Sequence, residues 1–572
     1  MKTLAKYIRR LWPLALLSPL CVLVETWSEL AQPALMARIV DDGILGGDGD
    51  AIPRTGAAMA GIMALGVACG LFSIYAAGRV AYSLGASMRS DIYRKVSRLA
   101  FADIDRLEQP SLITRLGDDV SRVQSMVQQS MRLLFRAPLM FFGSVAIALM
   151  IDADISLIII GSMIVALSLV TLIMSRTYAM FKLVQTCRDK FTSIAQEILI
   201  GIRVVKTYTN EKIEIERYGD ANGQLTEKSV KVGKSMAGMM PAISFALNAG
   251  TILVIYVGAG EVQAGGMKVG GIMAAINYIA QIQIAIMMAQ HVIMGITQAR
   301  ASLERINEVL STPTEDEIDE RTCHRSELLP FADGDIELRD VSFAYAKNGA
   351  RQLSDISLRI AKGSTVAIMG ETGSGKTTLA NIIARLYEPD SGTVTIGGTD
   401  IRMIKRAELQ RHMAMVLQTP QLFGGTLREN LGYGRPGVTE DEMMEAARVA
   451  DIADFVRQQP KGLDTIISQD GHNLSGGQRQ RLCIARIIVM QPDIIILDDC
   501  LSALDSETER RVRQRLAQMK ATKIIISQRI SAIRDADNIV LLKSGRIEAQ
   551  GPHHTLMDIC ASYRETYEAQ TR

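Results

Sequence analysis

The stretch LSGGQRQRLCIARIIVMQPDIIILDDCLSALD, residues 474–505, decides the fold of the C-terminal part of the chain. LSGGQ places a serine and two glycines where a helix is about to begin. The β-branched run IIIL predicts a buried strand that ends at Asp498. A turn, SALD, then ends at Asp505. With the runs TVAIMG, KIIIS and NIVLL, which also read as strands between helical stretches, this predicts an α/β domain.

A glycine-rich loop lies upstream of this stretch. Residues 370–378 read GETGSGKTT, between the apolar run TVAIM and the helical run TTLANIIARL. This fits G-x-x-x-x-G-K-[ST] in the strand-to-helix context that the pattern requires. Backbone N–H groups at such a helix start bind phosphate oxygens. We therefore predict ATP and Mg²⁺ as cofactors, with Lys376 on the β- and γ-phosphates and Thr377 and Asp498 on the metal. The predicted nucleotide contacts of this loop are Gly370, Glu371, Thr372, Gly373, Ser374, Gly375, Lys376, Thr377 and Thr378.

The N-terminal part is much more apolar. A membrane-spanning helix needs about 20 mostly apolar residues, and six segments satisfy this: 11–40, 57–80, 133–151, 155–175, 237–262 and 269–296. The long connections 81–132 and 176–236 are rich in Lys and Arg, whereas the short connection 41–50 is acidic. The positive-inside rule then puts both termini and both long connections in the cytosol. Short breaks near 103–110 and 208–211 mark where these cytosolic extensions turn back.

The net charge and the cysteine pattern limit the kinds of partner and site that the sequence predicts. The net charge of the 572 residues is only +2, which gives no basic field to indicate nucleic acid. The seven cysteines form no C-x-x-C pair, so neither a disulfide framework nor a zinc site is predicted. We expect a multi-pass protein of the cytoplasmic membrane, in contact with lipid.

Polar residues occur at membrane depth in the first and last spans. Glu25 and Glu29 lie four residues apart, on one face of the first helix, and the last span carries Asn277 and Gln281. Ionisable groups there usually face an interior or a cavity. One interpretation is a cavity wall that touches a substrate. The other is hydrogen bonding between helices.

These patterns predict a multi-domain membrane protein. Residues 1–310 form an all-α transmembrane domain with six spans and cytosolic helical extensions. Residues 311–334, which begin STPTEDEIDE, form an acidic linker. Residues 335–572 form an α/β P-loop nucleotide-binding domain.

LSGGQ is the signature of the ATP-binding cassette (ABC) family, and the whole chain resembles an exporter-type half-transporter. The resemblance implies that Tyr345, in VSFAY, stacks on adenine and that Gln418, in VLQTPQLF, is the glutamine near the metal. It also implies that Asp505 lies in the turn between two nucleotide-binding domains and that the two cytosolic turns press on these domains. Two such domains would dimerise head to tail, each ATP lying between the 370–378 loop of one chain and LSGGQ of the other. The residues implied on the LSGGQ side are Ser475, Gly476, Gly477 and Gln478.

Two positions depart from the family pattern. Asp499 stands where the family has the glutamate that polarises the attacking water, and Gln528 stands where it has histidine. The chain therefore resembles the degenerate-site subunit of heterodimeric bacterial multidrug ABC exporters. This predicts a weakly hydrolysing site of its own, an intact LSGGQ for a partner half-transporter, and export of a small or amphipathic solute. The alternatives are a homodimeric exporter, an importer of a haem- or siderophore-like ligand on the same fold, and a membrane ATP sensor or assembly factor.

Overall fold

The computed structural model describes residues 2–322, 334–346, 349–502 and 504–571, so 323–333 of the predicted linker lie outside the described residues. The chain divides into two compact units. The first consists of Met1–Arg94 and Pro110–Ser311, and the second of Lys95–Gln109 and Thr312–Arg572.

Helices make up nearly all of the first unit. The α-helices of residues 2–322 are Lys2–Ile8 (α1), Trp12–Arg38 (α2), Ala51–Val96 (α3), Phe101–Leu107 (α4), Gln109–Thr114 (α5), Val120–Ile151 (α6), Ala153–Ile200 (α7), Ile202–Thr207 (α8), Glu211–Ala237 (α9), Met239–Gln263 (α10), Val269–Ser311 (α11) and Glu315–Thr322 (α12). Of these, α4 and α12 belong to the second unit. Two π-helical segments, Ile39–Leu45 and Arg115–Asp119, continue α2 and precede α6.

The six predicted spans are confirmed. Among the described residues, six helical segments are long and apolar enough to cross a membrane: Leu4–Leu45, Ala51–Val96, Gln109–Ile151, Asp154–Ile200, Glu211–Gln263 and Val269–Ser311. They run for 42 to 53 residues, which is roughly 60–80 Å of helix. The hydrocarbon core of a bilayer is only about 30 Å thick. The helices therefore extend well beyond the bilayer.

Individual residues determine where helices begin and how closely two helices can pack. Asp152 begins α7 as its N-cap, because its carboxylate accepts the backbone N–H groups of Asp154 and Ile155 at 2.9 and 3.0 Å. Gly66 on α3 packs against α2, and a Cβ there would lie 1.9 Å from the Ser28 hydroxyl oxygen. A short helix lies at each predicted cytosolic turn: α4, in the second unit, overlaps the first, and α8, in the first unit, ends just before the second.

The rest of the second unit is the predicted α/β domain. Its strands are Ile336–Phe343 (β1), Leu353–Ile360 (β2), Thr365–Gly370 (β3), Ser391–Ile396 (β4), Thr399–Asp400 (β5), Met413–Val416 (β6), Gly425–Thr426 (β7), Ile466–Ile467 (β8), Ile494–Asp498 (β9), Thr522–Ile526 (β10), Asn538–Lys543 (β11) and Arg546–Gly551 (β12). Its remaining helices are Lys376–Ile383 (α13), Arg406–His412 (α14), Leu427–Leu431 (α15), Glu440–Val449 (α16), Ala453–Gln458 (α17), Gly476–Val489 (α18), Ser506–Ala517 (α19), Ile530–Ile533 (α20), His553–Ile559 (α21) and Ala561–Thr571 (α22).

A six-stranded sheet in the order β12-β11-β3-β10-β9-β6 forms the centre of this unit. Its strands from β11 to β6 are parallel, and only β12 is antiparallel. Alternate residues of a strand point to opposite faces. Accordingly Ile495 and Ile525 join one apolar cluster, and Ile496 and Ile524 join the other. Both faces of the sheet are thus buried, as in doubly wound α/β folds. A second sheet, β2-β1-β4-β5, is antiparallel.

The helix α12 packs in the second unit through buried charges. The Asp319 carboxylate accepts from the guanidinium groups of Arg385 and Arg406 at 3.1 and 3.0 Å. It also accepts the backbone N–H of Arg406 at 2.7 Å. The described beginning of the predicted linker is therefore an ordered helix.

Candidate nucleotide-binding site

The motifs predicted from sequence meet at one edge of the six-stranded sheet. The parallel strands β3, β10, β9 and β6 are neighbours in that order. The glycine-rich loop follows β3, Gln528 follows β10, Asp499 follows β9 and Gln418 follows β6. Ligands of open α/β sheets bind at the carboxyl ends of such strands. The topology therefore brings four separate sequence motifs to one site.

The glycine-rich loop requires glycine at its turns. Gly375 has φ of +102°, and a Cβ there would lie 2.7 Å from the Gln352 carbonyl oxygen. The helix α13 begins at the next residue, Lys376. The Lys376 ammonium folds back over the loop and donates to the carbonyl oxygens of Gly370 and Glu371 at 2.9 and 2.7 Å. Burial lowers the pKa of Lys376, and the charges of Asp498 and Asp499 oppose that shift. The loop thus forms an N–H cradle with an ammonium group at its side.

Asp498 fits a divalent cation. It is 2% exposed and accepts a hydrogen bond from Thr377. Its Oδ2 atom is buried and has no hydrogen-bond partner among the described residues. Burial raises the pKa of Asp498, while the Thr377 hydrogen bond lowers it. The hydroxyl of Ser374 is likewise buried without a described partner. A carboxylate oxygen and a hydroxyl left free beside a phosphate cradle match what a magnesium nucleotide needs.

Asp499 and Gln528 both line a cleft of about 860 Å³. Asp499 has φ of +44°, and its backbone N–H donates to the Ile526 carbonyl at 3.0 Å. Burial raises the pKa of its carboxyl, and the charges of Arg529 and Lys376 oppose this. The Gln528 amide donates to the Thr372 hydroxyl of the glycine-rich loop at 3.4 Å. The two departures from the family pattern therefore lie in the same cleft.

Tyr345 lies near the start of α13. Its hydroxyl and that of Thr378 are 3.1 Å apart. Tyr345 is 51% exposed, and its ring packs edge-on against Tyr387 at 5.1 Å between centroids. A ring that is held on one edge and open to solvent can stack on a base. Gln418 is exposed just after β6.

The LSGGQ segment begins α18. The Ser475 hydroxyl accepts the backbone N–H of Gln478 at 3.3 Å, and the Gln478 side chain accepts the backbone N–H of Ser475 at 2.8 Å. This is a capping box. Gly477 follows Gly476 in the first turn, and a Cβ on Gly476 would meet only open space. Asp505 caps α19 by accepting the backbone N–H of Thr508 at 2.9 Å, which lowers the pKa of its carboxyl.

The polar residues at membrane depth bond between helices. The Arg136 guanidinium contacts Glu25 at 2.7 Å and Glu29 at 2.5 Å, and Arg132 contacts Glu25 at 3.3 Å. Gln281 donates to the Glu29 carbonyl at 3.2 Å and accepts from Ser144 at 3.1 Å. Asn277 is exposed and bonds within its own helix, to the Met273 carbonyl. These contacts match the interhelical interpretation for Glu25, Glu29 and Gln281.

Sequence reasoning missed Arg132 and Arg136. The available signal was their spacing: two arginines four residues apart on α6 mirror two glutamates four residues apart on α2. It also missed Arg529, whose guanidinium donates to the Ser502 carbonyl at 3.2 Å beside the nucleotide site. No local pattern marks Arg529 as a residue that lies beside this site.

In comparisons with known proteins, the two parts of the chain match models of the same family. Residues 15–286 match the family model for the ABC transporter transmembrane region, and residues 353–502 match the ABC transporter model. The chain is 34% identical to the uncharacterized ABC transporter ATP-binding protein YfiB of Bacillus subtilis (strain 168), over 97% of this chain and 96% of that protein. It is 30% identical to the ATP-dependent lipid A-core flippase of Thiobacillus denitrificans, over 99% of this chain and 97% of the flippase.

A solved structure agrees over nearly the full length. The structure of a bacterial Atm1-family ABC exporter with ATP bound matches with a TM-score of 0.80 and 25% identity, covering 98% of this chain and 99% of that one. The match therefore extends over both the six helical segments and the α/β domain of this chain. The chain therefore belongs to the ABC transporter family, as a multi-pass half-transporter of the exporter type whose ATPase domain drives transport.

Proposed function

We propose that this chain is the degenerate-site half of a heterodimeric ABC exporter in the cytoplasmic membrane, with its nucleotide-binding domain in the cytosol. Its cargo would be a small or amphipathic solute. One observation carries the proposal. Asp499 and Gln528 line one cleft beside a complete glycine-rich loop, while LSGGQ is intact and well capped.

Asp499 is poorly placed to polarise an attacking water. Its side chain is one methylene shorter than glutamate, and a misplacement of about 1 Å in an active site can lower a rate by roughly a hundredfold. Its backbone N–H is tied to the Ile526 carbonyl, which keeps the main chain from advancing to compensate.

Gln528 supports the same conclusion. An amide can donate to a phosphate oxygen but carries no positive charge, unlike a protonated histidine. Its reach to Thr372 of the loop suits a contact with the terminal phosphate. The site would therefore retain ATP and hydrolyse it slowly.

Magnesium would be held by Thr377, Asp498 and Gln418. When bound, it neutralises charge on the phosphate oxygens. Lys376 and the loop N–H groups would orient the nucleotide, and Tyr345 would stack on the base. Ser475, Gly476, Gly477 and Gln478 would close over ATP held by the partner subunit. Asp505 would lie at the junction of the two domains.

An asymmetric pair of substitutions tests the division of labour. The complex would be purified from native membranes by a tag on this chain and reconstituted in lipid. Gly477→Asp puts a charge in the LSGGQ cradle and should lower the ATPase rate of the complex by about a hundredfold. Lys376→Ala, which damages only this chain's own loop, should lower it less than about fivefold. Equal losses from both variants would contradict the asymmetry.

The same preparation separates the alternatives. A tagged chain that brings down only copies of itself, with full ATPase activity, would establish a homodimer instead. Uptake of solute into the cytosolic side, rather than export, would establish an importer. ATPase turnover without any solute flux in vesicles would favour a sensor or assembly factor. The amphipathic cargo finds support in the similarity to the lipid A-core flippase.

A further inference from the structure

The C-terminal helix α22 ends against the loop that carries Gln528. The side-chain amide of Gln570 donates through Nε2 to the Gln528 carbonyl oxygen at 2.8 Å. Its Oε1 accepts the backbone N–H of Ile530, also at 2.8 Å. One planar amide thus binds the main chain on both sides of Arg529. This requires a side chain that offers a donor and an acceptor at the same end.

The helix that supplies Gln570 is itself well anchored. Tyr563, two turns earlier on α22, is fully buried at 0% exposure. Its hydroxyl lies 2.8 Å from His553 Nδ1 of α21. These contacts hold α22 in place, and with it the last turn of the helix, which carries Gln570.

Gln528 and Arg529 are exposed, whereas Ser527 and Ile530 on either side of them are buried. Gln528 and Gln570 line both the 860 Å³ cleft and a neighbouring cleft of about 240 Å³. The two side chains therefore lie between two open spaces. Without the Gln570 amide, the main chain at Gln528 would lose its support from α22. Exposed backbone such as that at Gln528 moves more readily than buried backbone.

We infer that Gln570 is a positioning residue, which fixes the 527–530 loop so that the Gln528 side chain reaches the terminal phosphate of ATP. The chain of contacts runs from Thr372 of the glycine-rich loop to Gln528 and on to Gln570. This inference rests on the proposed function, because that is where Gln528 is assigned to the terminal phosphate. It adds the C-terminal helix to the nucleotide site.

ADP lacks the terminal phosphate that Gln528 is proposed to contact. The ratio of ATP affinity to ADP affinity therefore measures whether the 527–530 loop is correctly positioned. The full-length chain in lipid nanodiscs would be titrated with ATP and with ADP, both with Mg²⁺. Gln570→Ala should weaken ATP binding by about fivefold, the effect of one net hydrogen bond, and leave ADP binding unchanged within twofold. Gln570→Glu, which keeps the acceptor but loses the donor to Gln528, should act in the same direction. Glu568→Ala, an exposed change on the same helix, is the matched control and should alter neither affinity.

Gln528→Ala separates this inference from the proposed function. If Gln528→Ala leaves the preference for ATP over ADP unchanged, the assignment of Gln528 to the terminal phosphate fails. If Gln528→Ala lowers that preference and Gln570→Ala does not, the positioning role is overturned. Equal weakening of ATP and ADP by Gln570→Ala also overturns it, because Gln570 would then only support the fold. The double variant should match Gln528→Ala alone, since both changes remove the same contact.

Discussion

Arg136→Met tests whether the charged residues at membrane depth brace the helices. Arg136 on α6 bridges both glutamates of α2, at 2.7 Å to Glu25 and 2.5 Å to Glu29. Methionine keeps much of the side-chain volume but removes the guanidinium. The carboxylates would then lose their main counter-charge where water is scarce.

The size of the loss follows from burial. Removing one partner of a buried ion pair typically destabilises a protein by about 3–5 kcal/mol. The Glu25 side chain is 13% exposed, so its full penalty applies, whereas that of Glu29 is 36% exposed and contributes less. Arg132 stays 3.3 Å from Glu25 and offsets part of the loss. We therefore expect about 3 kcal/mol, at the lower end of the range.

Thermal unfolding in nanodiscs at one fixed scan rate measures the effect. The matched control is Arg300→Met, because Arg300 pairs with Glu304 at 3.2 Å on a surface where its side chain is 80% exposed; a surface pair contributes about 0–1 kcal/mol. Adding Glu29→Gln to Arg136→Met should recover part of the lost stability, because Glu29 loses its Arg136 partner whereas Glu25 keeps Arg132. An Arg136→Met chain that unfolds at the wild-type temperature would refute the brace and favour a cavity wall.

Three further predictions concern the second unit. Gly375→Ala should abolish ATP binding in a titration, because its Cβ would lie 2.7 Å from the Gln352 carbonyl; Gly373→Ala, whose Cβ meets open space, should keep part of it, and equal binding by both variants would contradict the steric argument. Asp498→Asn should remove the gain in ATP affinity that Mg²⁺ gives over EDTA, and a preserved gain would rule out Asp498 as the metal ligand. Tyr387→Phe removes the hydroxyl that donates to the Asp105 carboxylate of α4; amide exchange in α4 should accelerate by about fivefold, with ATP affinity unchanged, and wild-type exchange would show that the contact does not hold α4.

The spans and the nucleotide motifs were predictable because their signals are local. A membrane span is decided by about 20 consecutive residues, and the glycine-rich loop by a few residues between a strand and a helix. The parallel order of β3, β10, β9 and β6 then brings the predicted residues to one edge without further information.

The specific contacts of the polar residues were not fixed by local patterns, because their partners come from distant parts of the chain. Arg136 lies 111 positions from Glu25, and Gln570 lies 42 positions from Gln528. The sequence next to a glutamate at membrane depth does not indicate whether its side chain faces a substrate or an arginine. Likewise the acidic composition after Ser311 indicated a linker, but the contact of Asp319 with Arg385 and Arg406 depends on the folded domain.

The ATPase rate of the purified chain alone in lipid tests the central claim most directly. It would be compared with the rate of the Asp499→Glu, Gln528→His double variant. Lys376→Ala, introduced into the unmodified chain and into the double variant, would give the background rate that is taken as zero. The account predicts a rate near that zero for the unmodified chain and a gain of about a hundredfold in the double variant. Brisk hydrolysis by the unmodified chain, abolished by Lys376→Ala, would contradict the account. Asp499 would then be competent, and a homodimeric exporter would replace the heterodimer.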